Sequence, residues 1–199
     1  MDFRILGPFE VTGTEGPVTL RGAKRRGLLA CLVVHAGQPL SRDRLVTELW
    51  GEGDCEGAAR TVQTYVSQLR KLLRSDGVSL ETRPGGYVLE IPLVQVDAHR
   101  FERDVAAAGT QPDPSRRLAM LETALALWRG PPLGEFAGVG WADREATRLE
   151  ALHIQALQRR FDALLELGRA GEAAAELEHI APAHPLDERL WAQLMLALY

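Results

Sequence analysis

Residues 60–74 carry the side chains with the clearest chemical potential in this chain of 199 residues. At about 100° per residue, a helical wheel places their apolar side chains within roughly 120° of arc. The opposite face collects polar and basic side chains and no acid: Arg60, Gln63, Thr64, Ser67, Lys71 and Arg74. Gln, Thr, Ser and Arg are residue types that read base edges in a DNA major groove, and Lys71 and Arg74 suit phosphate contacts.

The lack of acids on this face favours an anionic partner over simple solvation. A solvated helix gains stability when acids and bases alternate four residues apart, whereas a carboxylate that faces phosphates lowers affinity. A helix of this length runs about 22 Å at ~1.5 Å per residue, which is long enough to lie in a major groove. A soluble amphipathic helix that lacks acids by chance remains the alternative for this helix taken alone.

A predicted hairpin follows the helix after a few residues. Its strands, Ser79–Arg83 and Tyr87–Ile91, flank Pro84-Gly85-Gly86, where glycines can adopt the positive φ angles of a tight turn. A wing of this kind contacts the flanking backbone or the minor groove, where the negative potential favours an arginine such as Arg83. The alternative is an ordinary edge hairpin, and for Tyr87 we favour a place in the core.

The preceding residues supply the elements that must position this helix. The pattern predicts short strands and then helices, at Phe3–Leu6, Phe9–Thr12, Val18–Leu20, Ala23–His35, Ser41–Trp50 and Ala58–Arg74. Together with the hairpin they predict an α+β winged helix-turn-helix domain over residues 1–96. Candidate contacts with the DNA backbone stand at two predicted helix starts: Lys24, Arg25, Ser41 and Arg42. Ser41 is interpreted as a helix N-cap rather than a nucleophile.

The second half has a different pattern. Strong Ala and Leu periodicity predicts five helices, at Ala98–Ala108, Ser115–Trp128, Trp141–Leu167, Glu172–His184 and Asp187–Tyr199. Their short connections favour antiparallel pairs. The last pair shows the order of a tetratricopeptide unit, a helix, a turn, a second helix and then a proline. We therefore expect an all-α, tetratricopeptide-like domain over residues 97–199 that is truncated at its C-terminus, because the final helix ends on an apolar face without a polar cap.

Charge is distributed unevenly between the halves. The net charge of −4 is the sum of two unlike halves. Residues 1–96 contain 12 Lys and Arg and 11 Asp and Glu, whereas residues 97–199 contain 11 Lys and Arg and 16 Asp and Glu. The acidity therefore belongs to the helical half and does not argue against a nucleic-acid partner. The chain start carries an acid and lacks the apolar segment of a signal peptide, and no stretch is long and apolar enough to cross a membrane, so we expect a cytoplasmic, nucleoid-associated protein.

No constellation in the sequence supports catalysis, a metal site or a bound cofactor. Cys31 and Cys55 lie 24 positions apart without a CxxC motif, which argues against a disulfide framework and a zinc cluster. The five histidines never show the spacing of a metalloprotease helix. Residues 22–28 contain two glycines and basic residues, but a phosphate-binding loop needs Lys and then Ser or Thr directly after its second glycine. We therefore expect no enzyme activity.

Several motifs in this order resemble a known family. In the first half they are Ile5-Leu6-Gly7-Pro8, Arg21-Gly22, Leu40-Ser41, Leu49-Trp50-Gly51, the run from Val66 to Leu73, and Gly85-Gly86-Tyr87. In the second half they are Asp97-Ala98-His99-Arg100-Phe101, the run from Leu127 to Leu133, and the helix from Trp141 to Leu167. The chain is similar to the Streptomyces antibiotic regulatory proteins, in which an OmpR-type winged helix precedes a bacterial transcriptional activation domain.

The resemblance implies an activator of biosynthetic gene clusters that binds direct repeats in double-stranded DNA near a promoter. It implies three kinds of partner: the DNA, a second copy of the protein on that DNA, and RNA polymerase with its sigma factor. By position it places these residues at the DNA: Arg60, Thr61, Gln63, Thr64, Ser67, Arg70, Lys71 and Arg74 in the helix, and Arg83, Gly85 and Gly86 in the wing. Arg70 lies on the flank of the polar arc and could instead pair with an acid inside the domain. The alternative function is a helical adaptor whose winged helix makes protein contacts.

Overall fold

The structure is a computed structural model that describes residues 1–51, 57–74 and 77–199. Its chain divides into two compact units. The first comprises Met1–Arg100 and Trp128–Arg148, and the second comprises Phe101–Leu127 and Leu149–Tyr199. Cys55, which entered the argument against a zinc cluster, lies outside the described residues.

A small antiparallel sheet opens the first unit. Its strands, in spatial order, are β1 (Asp2–Arg4), β2 (Glu10–Gly13) and β3 (Gly16–Pro17). The predicted strand Val18–Leu20 is wrong. The turn after β2 contains only two residues, so Gly16 already pairs with Gly13. The third strand therefore starts two residues earlier than the apolar pattern indicates.

Three helices follow and pack against one another: α1 (Ala23–Val34), α2 (Arg42–Trp50) and α3 (Ala58–Leu73). The predicted N-cap is confirmed, since the Ser41 hydroxyl accepts a hydrogen bond from the backbone N–H of Arg44 at 3.1 Å. That bond satisfies one of the donors that a helix start leaves without an intrahelical partner.

The predicted hairpin is present as β4 (Ser79–Arg83) and β5 (Gly86–Glu90), an antiparallel pair in which Thr82 lies opposite Tyr87. Tyr87 also forms an isolated bridge with Leu40, just before α2. The backbone N–H of Tyr87 donates to the Leu40 carbonyl at 2.8 Å, and the Leu40 N–H donates back at 3.0 Å. The hairpin is therefore attached through its second strand to the start of α2.

The remaining helices are α4 (Asp97–Gly109), α5 (Pro114–Leu125), α6 (Gly140–Glu166), α7 (Ala170–Ile180) and α8 (Glu188–Leu198). The core of the second unit is formed by buried apolar residues of α5 to α8, among them Leu118, Phe161, Leu177 and Leu190. Within the described ranges, this half contains helices and no strand. The predicted fold class, a winged helix-turn-helix followed by an all-α domain, is confirmed.

Residues 128–136, which we name the return segment, pack with the first unit although they follow α5. Backbone N–H groups of Arg129 and Leu133 donate to the carbonyls of Leu6 and Ile5 at 2.8 and 3.0 Å. Glu135 accepts from the N–H of Phe9 at 3.0 Å. The division at residue 96 stays a prediction, and the first compact unit is larger than that division implies.

A buried carboxylate completes this attachment. Asp97 is 2% exposed and accepts hydrogen bonds from the backbone N–H groups of Ile5, Leu6 and Ala98 at 2.8 to 3.1 Å. Burial raises the pKa of the Asp97 carboxyl, and these hydrogen bonds and the Arg129 guanidinium, 3.6 Å away, oppose that rise. One side chain thus joins the end of β1, the start of α4 and the return segment.

Candidate nucleic-acid interface

Helix α3 separates apolar and polar side chains as the sequence predicts. Val62, Val66, Leu69 and Leu73 are buried in the first unit at 0 to 1% exposure. The opposite face is exposed and contains Arg60, Gln63, Thr64, Ser67, Gln68, Arg70, Lys71 and Arg74. The period of 3.6 residues therefore fixes which side chains are available to a partner.

The polar face carries three basic side chains besides Arg70, namely Arg60, Lys71 and Arg74. Within the described ranges, no carboxylate lies within ion-pair distance of Arg60, Lys71 or Arg74. The Thr61 and Thr64 hydroxyls each donate to a backbone carbonyl one turn earlier, of Gly57 and Arg60, at 3.1 Å. Each hydroxyl oxygen still has lone pairs that can accept a further hydrogen bond.

Arg70 differs from its neighbours on this face. Its Nε donates to the carbonyl oxygen of Leu80 at 2.6 Å, and its Nη2 donates to the Thr82 hydroxyl at 2.7 Å. Both partners belong to β4, so the guanidinium links α3 to the hairpin. The acid partner that the sequence left open for Arg70 is not among the contacts of the described residues.

In the wing, Arg83 lies close to two acids. Its guanidinium is 2.9 Å from Glu81 and 2.8 Å from Glu90, and about half of the Arg83 side chain remains exposed. The Arg83 guanidinium lowers the pKa of the Glu81 carboxyl by hydrogen bonding, and that hydrogen bond raises the pKa of Arg83. A phosphate that binds Arg83 must therefore compete with the two carboxylates.

The two wing glycines have separate reasons to be glycine. Gly85 has φ of +95°, and a Cβ there would meet only Pro39, at an ordinary 3.8 Å. Gly86 has φ of +145°, and a Cβ there would lie 1.9 Å from the Leu40 carbonyl oxygen. Gly86 thus permits the close approach between the wing and the start of α2.

An open cleft of about 240 Å³ lies between α3, the start of α2 and the wing. Its lining combines residues that the sequence predicted at the interface with residues that it did not: Arg42, Asp43, Gln63, Thr82, Arg83, Gly86 and Tyr87. Asp43 and Thr82, the latter on the predicted wing strand, are not among the predicted contact residues, and Tyr87, expected in the core, is half-buried and lines the cleft. The alternation of the hairpin, which pairs Thr82 with Tyr87, is the one signal that could have placed those two residues together.

The other candidate backbone contacts already have partners within the first unit. The Lys24 ammonium donates to the Leu49 carbonyl and lies 5.6 Å from the centre of the Trp50 ring. Arg25 donates to the Gln68 side chain at 3.0 Å, which links α1 to α3. Arg42 is half exposed and lies 3.8 Å from Asp43, a distance at which the pair is weak.

Two family models match the chain. The model described as "Bacterial transcriptional activator domain" matches residues 96–199, and the model described as "Transcriptional regulatory protein, C terminal" matches residues 16–89. The second match covers the three helices and most of the wing. These families consist of transcriptional regulators, and neither is a family of enzymes.

Curated relatives match over the whole chain. The transcriptional regulatory protein EmbR of Mycobacterium tuberculosis is 37% identical over 209 residues, which cover 100% of this chain and 53% of EmbR. The transcriptional regulator RedD of Streptomyces coelicolor is 36% identical, with 59% of RedD covered. The regulatory protein DnrI of Streptomyces peucetius is 32% identical, with 78% of DnrI covered. The chain thus spans about half the length of EmbR and more of DnrI.

A solved structure shows the same fold. Mycobacterium tuberculosis EmbR, in complex with a low-affinity phosphopeptide, superposes with a TM-score of 0.91 at 36% sequence identity. The superposition covers 98% of this chain and 54% of that EmbR chain.

Within the described ranges, none of the helices combines the length and apolarity that crossing a bilayer requires.

Proposed function

Because the chain belongs to the Streptomyces antibiotic regulatory protein family of transcriptional activators, we propose that it binds duplex DNA through the exposed face of α3 and the wing. The observation that carries this proposal is the acid-free polar face of α3, whose basic side chains lack carboxylate partners among the described residues. Because the chain as a whole has a net charge of −4, a face with basic side chains and no acids is the surface that we expect to bind an anionic ligand.

The residue types divide the proposed interface into two tasks. Gln63, Thr64 and Ser67 offer donors and acceptors to base edges, whereas Lys71 and Arg74 offer positive charge to phosphates. Arg60, in the first turn of α3, extends this face toward its N-terminus, and the half-buried Thr61 lies at the edge of the face. The wing brings Arg83 and the Gly85-Gly86 turn to the flanking backbone or the minor groove.

We further propose that the target is a promoter of a biosynthetic gene cluster with direct repeats, each bound by one copy of the protein. The resemblance to the family implies this target, and the matching regulators RedD and DnrI together with the matched activator domain over residues 96–199 support a role in transcription. The helical half would then contact RNA polymerase and its sigma factor. The acidity of residues 97–199 suits protein contacts rather than a second DNA surface.

The proposal is tested by selection from a random duplex pool at moderate salt, because low salt retains any DNA through phosphates alone. We expect enrichment of a direct repeat whose halves are spaced near one helical turn, roughly 10 to 10.5 base pairs. A pool that stays random at every salt concentration would contradict sequence-specific binding and favour an adaptor role.

A substitution sharpens this test. Gln63→Ala removes one proposed base reader, so we expect it to relax one position of the selected site at a cost of about 1 to 3 kcal/mol in binding free energy. The matched control is Gln155→Ala, at an exposed position of α6. If both variants select the same site as the parent protein, Gln63 does not read a base.

A further inference from the structure

We propose that Arg70 is a positioning residue, which fixes the wing relative to α3 and does not itself bind a phosphate or a base. The inference rests on the proposed DNA-binding function and assigns one of its residues a different task. It starts from the two hydrogen bonds that Arg70 donates to β4, to the Leu80 carbonyl at 2.6 Å and the Thr82 hydroxyl at 2.7 Å.

These two bonds occupy one of the two edges through which the Arg70 guanidinium can make a bidentate contact. Arginine makes its bidentate contacts with a planar fork of two N–H groups. In Arg70, the edge formed by Nε and Nη2 is directed at β4, where a carbonyl and a hydroxyl take the places that two phosphate oxygens would take. A direct DNA contact through that edge would require the contact with the wing to break.

The wing needs this support because it is small. A hairpin of two five-residue strands has little stability by itself in water. Its second strand is held by the paired backbone hydrogen bonds between Tyr87 and Leu40. Arg70 holds the first strand at its other edge, so the segment just before α2 and helix α3 each hold one strand of the wing.

We name the two hydrogen bonds from Arg70 to Leu80 and Thr82 the clamp, and their position along β4 gives them a role in binding. Thr82 immediately precedes Arg83, and both residues line the cleft with Gln63. When Arg70 holds Thr82, it also sets the distance from α3 to Arg83 and to the turn at Gly85. The loss of the clamp should therefore weaken the wing contacts and leave those of α3 in place.

Lys71 provides the natural reference for this proposal. It follows Arg70 in sequence, is exposed, and has no carboxylate partner among the residues that the structure describes. A direct phosphate contact depends on charge, so its loss lowers the slope of log affinity against log salt by about 0.9, and a lysine at the same position restores it. A contact that holds the wing depends on the guanidinium fork, which lysine lacks, so lysine should not restore it.

The experiment compares Arg70→Ala, Arg70→Lys, Thr82→Val and the double variant Arg70→Ala/Thr82→Val with Lys71→Ala on the selected duplex. We expect Arg70→Ala and Arg70→Lys to weaken binding about equally, by about tenfold, since lysine keeps the charge but loses the fork. Their salt slopes should equal each other, because both substitutions loosen the wing in the same way. Thr82→Val should weaken binding less than Arg70→Ala. The double variant should bind DNA as tightly as Arg70→Ala, because both substitutions disrupt the same pair of contacts.

Two further readouts separate positioning from general damage. Hydroxyl-radical footprints should lose protection only at the flank covered by the wing in the Arg70 variants. Amide relaxation of the free protein should show faster motion at residues 82–87, with α3 unchanged. A salt slope lowered by about 0.9 in Arg70→Ala and restored in Arg70→Lys would overturn the proposal.

The design also distinguishes failure of the wider function. If Lys71→Ala leaves affinity and salt slope unchanged, the proposed DNA interface is wrong, whatever the Arg70 variants do. The relaxation measurement needs no DNA, so unchanged motion at residues 82–87 in Arg70→Ala overturns the clamp independently. Should Arg70→Ala fail to fold, Thr82→Val gives the same readouts with a change of similar volume.

Discussion

Four arginines of the second unit and the arginines of α3 have different kinds of partner among the described residues. In the second unit, guanidinium groups are 2.5 to 2.7 Å from carboxylates, in the pairs Arg117–Glu166, Arg160–Glu176, Arg169–Glu172 and Arg189–Asp162. On α3, Arg60 has no such partner within the described ranges, and Arg70 bonds to a carbonyl and a hydroxyl. Among the described residues, the same residue type thus pairs with carboxylates at four positions of the second unit and lacks a carboxylate partner on α3.

This difference separates two physical tasks. Paired surface charges contribute little to stability, but they make the helical surface unattractive to phosphates. Basic side chains without a carboxylate partner attract an anion more strongly than paired ones, but they also repel one another. Charge placement, rather than the net charge of −4, therefore indicates which surface would meet DNA.

The largest effect that we expect concerns the attachment of the wing. Gly86→Ala places a Cβ 1.9 Å from the Leu40 carbonyl oxygen and forces an alanine to φ of +145°. Backbone strain and overpacking together should lower the free energy of unfolding by about 3 kcal/mol, measured by urea denaturation. DNA binding should fall with it, because the cleft loses one wall.

Gly85→Ala is the matched control for that substitution. Its φ of +95° also disfavours alanine, but its Cβ would meet only Pro39 at 3.8 Å. We expect a loss of about 1 kcal/mol, from backbone strain alone. Equal losses at the two positions would show that the close approach to Leu40 does not constrain the wing.

A smaller effect is expected where the return segment attaches to the first unit. Glu135 accepts two hydrogen bonds from Arg26, at 2.6 and 2.8 Å, and one from the backbone of Phe9, in a site where both side chains are about two-thirds buried or more. Glu135→Ala should lower the free energy of unfolding by about 1 to 2 kcal/mol, measured by urea denaturation.

The comparison with the second unit makes this prediction specific. Glu172 forms a similar two-bond pair with Arg169, but both groups are exposed on the surface. Glu172→Ala should leave the urea midpoint nearly unchanged, because water screens and replaces an exposed pair. If both variants lose equal stability, the return segment is no more tightly held than a surface ion pair.

Much of this architecture follows from local patterns in the sequence. The two faces of α3 follow from the helical period, and the N-cap at Ser41 and the hairpin around Gly85 follow from residue types with known backbone preferences. These features depend on neighbours within a few positions, so a single sequence is sufficient to predict them. The predicted DNA contacts of these side chains stay predictions.

Other features depend on contacts between distant parts of the chain. Glu135 meets Phe9 across 126 positions, and no periodic pattern in residues 128–136 indicates a partner near the N-terminus. The role of Arg70 depends on a carbonyl of β4, which has no side-chain signature. The start of β3 was missed because the tight turn, rather than the apolar run that follows it, sets where pairing begins.

The central claim, that the basic side chains on the exposed face of α3 contact DNA phosphates, is tested most directly by affinity as a function of salt. The parent protein, Lys71→Ala and Arg169→Ala are titrated onto the selected duplex between low and moderate salt. We predict that Lys71→Ala weakens binding to all duplexes alike and lowers the salt slope by about 0.9, whereas Arg169→Ala changes neither. An unchanged slope in Lys71→Ala, or equal changes in both variants, would contradict the account.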